Sequence, residues 1–85
     1  MDVRSPAHAS LGRAVRQLRD RRGMSQTELA SETGLNATYL SGVERGRRNP
    51  SWDVVLKLAA SLDIQPSRLV ALAETLGGEE EPKES

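Results

Sequence analysis

The chain has 85 residues, room for one small domain, and its 12 Lys and Arg offset its 12 Asp and Glu. Cysteine is absent, which excludes disulfide frameworks, thiolate metal sites and thiol nucleophiles. No apolar run approaches the ~18 residues of a membrane span, and the N-terminus has no apolar signal core, so a cytoplasmic protein is the default expectation.

Apolar residues make up 36% of the chain and the only aromatics are Tyr39 and Trp52, so the core must be small and built from Leu, Val and Ala. Residues 1–9 contain Pro6, lack periodicity and read as a flexible leader. The first helix is expected to start at Ser10 as N-cap, with Leu11, Ala14, Val15 and Leu18 as its apolar stripe and Gly23 just past its end. Ser25 and Glu28 have capping-box spacing and open a short second helix that buries Leu29 and Ala30 and ends by Gly34. Gly34 suits the left-handed conformation of a tight interhelical turn, and Asn36 caps a third helix over Ala37–Glu44 with Leu40 and Val43 inward. Gly46 ends that helix, and RGRRNP forms a basic loop.

Ser51 caps a fourth helix whose predicted stripe is Trp52, Val55, Leu56, Ala59 and Leu62, with Trp52 anchoring its start to the core. Pro66 begins a fifth helix with Leu69, Leu72, Ala73 and Leu76 in line. Residues 77–85, GGEEEPKES, read as an acidic disordered tail, which leaves 10–76 as the folded domain. The expected fold is all-α, five compact helices without a strand.

The balanced charge hides an asymmetry. Residues 1–50 carry nine Arg against five acids, whereas residues 51–85 carry three cations against seven acids. The basic half uses Arg alone, the side chain suited to forked contacts with phosphate and guanine. A short helix, a turn holding Gly34 and a second short helix place the latter so that it can enter a DNA major groove.

The stretch from Leu11 to about Leu72 resembles the lambda-repressor/Cro-like, or XRE, helix-turn-helix family of transcriptional regulators. The matching residues are Leu18-Arg19, Gly23-Met24-Ser25-Gln26, Leu29-Ala30, Gly34, Tyr39-Leu40-Ser41, Glu44-Arg45-Gly46 and Pro50-Ser51, followed by Leu56, Leu58-Ala59 and Leu62. The resemblance implies a five-helix domain that binds double-stranded DNA. It places Gln26 at the start of the second helix, touching a phosphate and bracing the start of the third. It pairs Arg19 with Glu44 as a partly buried structural bridge. Its base-reading positions fall on Ala37, Thr38, Ser41 and Gly42, with Asn36 at the phosphate edge. This set is small: Ala37 and Thr38 could pack on a thymine methyl and Thr38 or Ser41 could bond base edges, or the residues are packing spacers. Part of the specificity then falls to DNA shape or to loop arginines. The segment Tyr39–Ser51 also looks like that of restriction-modification controller proteins, which are small homodimers.

Tyr39 has two readings, a hydroxyl reaching phosphate or a half-buried packing aromatic. Arg45, Arg47, Arg48 and Asn49 directly follow the reading helix, and two or three of them are expected to clamp phosphate. On the first helix, Arg13 or Arg16 is the candidate for a further phosphate contact, with Arg21 and Arg22 as solubilising charge. One such module binds DNA weakly, so a homodimer is expected, with Leu58, Leu69, Val70, Leu72, Ala73 and Leu76 as its interface. The one histidine, His8, the absence of a phosphate-binding Gly motif and the lack of metal-ligand spacing argue against an enzyme, a cofactor, a metal or a small-molecule ligand. The rival from another class is a protein-interaction module on the same fold, antitoxin-like or adaptor.

Overall fold

A computed structural model of the chain describes residues 6–80, and its side chains over 8–77. Among these residues the backbone forms five helices and no strand: α1 (Pro6–Arg21), α2 (Gln26–Thr33), α3 (Ala37–Glu44), α4 (Trp52–Ser61) and α5 (Pro66–Glu80). None of them is long and apolar enough to cross a membrane.

Side-chain oxygens set three of the helix starts by accepting amides that have no partner inside the helix. Ser25 Oγ accepts the Glu28 N–H at 3.0 Å while Glu28 Oε1 accepts the Ser25 N–H at 2.8 Å, a reciprocal capping box. Asn36 Oδ1 accepts the Tyr39 N–H at 2.9 Å, and Ser51 Oγ accepts that of Val54 at 3.3 Å.

The exits of α1 to α4 share one device. Gly23, Gly34, Gly46 and Asp63 lie in the left-handed region, with φ of 67°, 74°, 74° and 57°. The residue after each returns its N–H to the carbonyl five positions back: Met24 to Arg19 at 3.1 Å, Leu35 to Ala30 at 2.9 Å, Arg47 to Gly42 at 2.8 Å and Ile64 to Ala59 at 3.0 Å. Met24, Leu35 and Ile64 also pack against the core, closing their turns with an apolar contact. Asp63 takes with a Cβ the conformation the other three exits give to glycine.

Leu29, Leu40, Leu58 and Leu69, one from each of α2 to α5, are fully enclosed together with Ala14 and Val15 of α1. Burying each such Leu contributes roughly 1.5–3 kcal/mol, in keeping with a core that lacks aromatics. Helix α1 packs on α5 and α3, α2 on α3 and α4, and α4 on α5. The approach of α1 to α3 is unusually close. A Cβ at Gly12 would collide with the Val43 carbonyl oxygen and stand 2.6 Å from that of Glu44, and one at Gly46 would stand 2.8 Å from Ala9 Cα.

These contacts correct several expectations. Helix α1 starts at Pro6, a residue suited to a first helical turn, not at Ser10. Residues 6–9 are therefore helix where a leader was expected, held where Ala9 meets Gly46. Ser10 is buried inside α1 beside Gly77, not a cap. Helix α5 runs on through residues 77–80, which were assigned to the tail; residues 1–5 and 81–85 lie outside the described residues. On α4 the inward face is Val54, Val55, Leu58, Ala59 and Leu62. That face turns Leu56 outward and leaves Trp52 59% exposed, so Trp52 is not a core anchor. The predicted dimer surface is mostly interior as well. Leu58, Leu69, Ala73 and Leu76 are buried within the single chain, and only Val70 is exposed, with Leu72 half-buried. The short, aromatic-free stripes of the other helices need α5 to complete the core.

Two substitutions of opposite sign test this packing by urea denaturation. Gly12→Ala, which sets a methyl against two fixed carbonyls, should cost about 1–3 kcal/mol or more. Asp63→Gly, which relieves the left-handed backbone, should add about 0.5–1 kcal/mol.

Candidate nucleic-acid interface

Helices α2 and α3 are joined by the three residues Gly34-Leu35-Asn36, with Leu35 packed on the core, so α3 leaves the turn at a fixed angle. Its far end is fixed by one carboxylate. Arg19 Nε donates to Glu44 Oε2 at 2.7 Å and Arg19 Nη2 donates to Glu44 Oε1 at 2.9 Å. Gln26 Nε2 donates to the same Oε1 at 2.8 Å, and Arg19 Nη1 donates to the Met24 carbonyl at 2.8 Å. One guanidinium thus joins α1, the α1–α2 turn and the last residue of α3. Glu44 is only 6% exposed, and its charge is tolerable there because three donors meet it. Hydrogen bonding to Glu44 raises the Arg19 pKa above its ordinary value, against the lowering effect of its burial.

Sequence reasoning set Gln26 against the start of the third helix. The structure sets its amide nitrogen against the end of that helix, because Glu44 has oxygen to spare beside the first residue of α2.

The outward face of α3 carries Ala37 and Thr38, both exposed, and the half-buried Ser41. Asn36 is exposed, with its carbonyl oxygen engaged in the cap. Gly42, expected to face bases, is buried, because the Arg48 side chain lies across it: a Cβ there would stand 2.7 Å from Arg48 Cγ. Tyr39 is half-buried, and the Arg48 guanidinium carbon stands 5.9 Å from its ring centroid. Leu35, Thr38, Tyr39, Arg48 and Val54 line one shallow concavity beside α3.

Arg45, Arg47, Arg48 and Asn49 are exposed at the exit of α3. Arg45 Nη2 donates to Ser41 Oγ at 3.0 Å, which directs it back along α3. Among the described residues no acid pairs with these three arginines. Arg47 occupies the position held by Met24, Leu35 and Ile64 in the other three exits. Where those turns close on the core with an apolar side chain, this one presents a cation to solvent. Arg13 and Arg16 lie elsewhere, flanking a groove between α1 and α5 with Gln17 and Leu76, and Arg16 pairs with Asp20 at 3.9 Å.

Two features escaped sequence reasoning. The α1–α3 approach at Gly12 involves partners some thirty positions away and leaves no local sign. The lodging of Arg48 on Gly42 did leave one, a glycine inside a helix that it weakens.

Comparison with known proteins agrees with this geometry. Residues 10–72 match the model of a family described as helix-turn-helix domain. The control protein C.BamHI of Bacillus amyloliquefaciens is 42% identical over 73 residues, covering 85% of this chain and 89% of that protein. The crystal structure of the restriction-modification controller protein C.AhdI from Aeromonas hydrophila superposes with a TM-score of 0.70 at 48% identity, over 72% of this chain and 92% of that one. The biofilm master regulator SinR, solved in complex with DNA, superposes with a TM-score of 0.67 at 36% identity, over 71% of this chain and 97% of that one.

Replacing Glu44 by Ala removes the acceptor of three hydrogen bonds and strands a buried guanidinium. Urea denaturation should show a loss of about 3–5 kcal/mol, far more than the sub-kcal effect expected for Asp20→Ala, whose exposed carboxylate stands 3.9 Å from Arg16 and 3.5 Å from Arg19.

Proposed function

The chain belongs to the helix-turn-helix domain family of transcriptional regulators, and on that premise we propose that it binds double-stranded DNA in a sequence-specific way. Helix α3 lies in the major groove, and Arg45 and Arg47 hold the flanking phosphates. The observation that carries this reading is the exit of α3. There a cluster of arginines, without acidic partners among the described residues, follows a helix whose outward side chains, Ala37, Thr38 and Ser41, are small enough for close approach to base edges. That the similar SinR was solved in complex with DNA supports DNA binding. Asn36 and Gln26, at the starts of α3 and α2, stand where helix N-termini favour phosphate.

A homodimer reading a (pseudo)palindromic operator is the assembly that fits best. One α3 of eight residues offers little contact area, and two copies about 34 Å apart turn modest affinity into useful affinity. Of the predicted interface residues Val70 is exposed, and Leu72 is half-buried against the core. Two similar proteins named as controllers are almost wholly covered by this chain, which favours control of a restriction-modification system as the physiological role.

A gel shift with salt titration tests the function. Affinity should fall steeply with salt, and Arg47→Ala should weaken binding to all duplexes alike while lowering the slope by about one. Binding insensitive to salt, or an unchanged slope, would favour a protein-interaction module on this fold. Selection of sites from random DNA should return two half-sites one helical turn apart, and sedimentation should show a dimer on such a site.

A further inference from the structure

We propose that Gly42 is a positioning residue for Arg48, and that the guanidinium it seats, braced against Tyr39, is the group through which the α3 face recognises guanine. This assignment rests on the duplex binding proposed above. Glycine weakens a helix interior, so its presence in the second turn of α3 calls for a compensating contact. The contact is specific. The three atoms nearest to a Cβ at Gly42 all belong to Arg48: Cγ at 2.7 Å, Nε at 3.5 Å and Cδ at 3.7 Å. The missing methyl is therefore the channel in which the Arg48 stem lies. Beyond that channel the guanidinium carbon stands 5.9 Å from the Tyr39 ring centroid, and Arg48 shares one concavity with Thr38 and Tyr39.

This lodging supplies what α3 lacks. Ala37, Thr38 and Ser41 include no side chain with two parallel donors, whereas an arginine fork matches the O6 and N7 acceptors of guanine in the major groove. An arginine held by a channel and a ring gives up less rotamer freedom on binding than one loose in solvent. A phosphate can take the same fork but carries no base identity, so a phosphate contact would weaken alike on every sequence when Arg48 is replaced, whereas a guanine contact weakens on one base only. Gly42 is thus removed from the residues that touch bases and acts through Arg48.

Site selection from random DNA, followed by competition gel shifts and thermal melting, distinguishes the outcomes for the wild type, Arg48→Lys and Gly42→Ala. Each wild-type half-site should contain a guanine whose replacement weakens binding about tenfold or more. Both variants should lose that discrimination while keeping affinity for unrelated duplex. Gly42→Ala should melt no lower than the wild type, since alanine favours the helix. A wild-type consensus without such a guanine, or its retention in either variant, would overturn the assignment and leave duplex binding intact. So would equal weakening of Arg48→Lys on every sequence, which marks a phosphate contact. Failure of the wild type to bind any duplex would overturn both.

Discussion

The carboxylate of Glu44 fixes the presented helix to the rest of the molecule. It ends α3, lies almost wholly inside the protein, and meets donors from Arg19 and Gln26. A buried acid is tolerable only when its acceptors are occupied, so the orientation of α3 depends on α1 and α2 being in place. The same guanidinium holds the Met24 carbonyl, which joins the α1–α2 turn to the arrangement. Removing either partner would strand a buried charge, so the pair holds the presented helix in one orientation.

The repeated helix exit shows how one structural solution can be put to a different use. Three of the four turns place an apolar side chain against the core directly after the left-handed residue. At the exit of α3 that position is Arg47, and Arg45 and Arg48 stand beside it. The backbone bond from Arg47 to Gly42 closes the turn at 2.8 Å without the apolar contact. Gly46 packs on Ala9 and Glu44 is held by Arg19, so this exit is fixed without an apolar side chain at the position after Gly46, and the Arg47 side chain there stays in solvent.

What the sequence revealed and what it hid divide along range. The capping box of Ser25 and Glu28, the caps Asn36 and Ser51, and the left-handed Gly23, Gly34 and Gly46 are local chemistry, decided within five residues, and they were legible. The five-helix all-α fold and the regulator family followed from them together with the resemblance. Whether an apolar stripe faces the core of its own chain or a second copy is decided by distant partners, and there the reading failed. Trp52 and Leu56 share an apolar face of α4 with Val55 on a helical wheel, yet the face that meets α5 is centred a little further round. Leu69, Ala73 and Leu76, read as surplus to a small core, are buried within the single chain, where α5 packs on α1 and α4. The arginine loop was legible as a charge cluster, while the lodging of Arg48 over Gly42 depends on how the chain doubles back.

The Gly12 contact bears on the mechanics of recognition. Two helices that meet main chain to main chain, with no side chain between them, form a stiff joint: there is no rotamer to relax and no lubricating layer to slide on. Helix α3 therefore has little independent play, and in the docking proposed above imperfect fit would have to be absorbed by torsion and bending of the duplex. Sequences that yield easily at their uncontacted steps would then be favoured even where no atom of the protein reaches them.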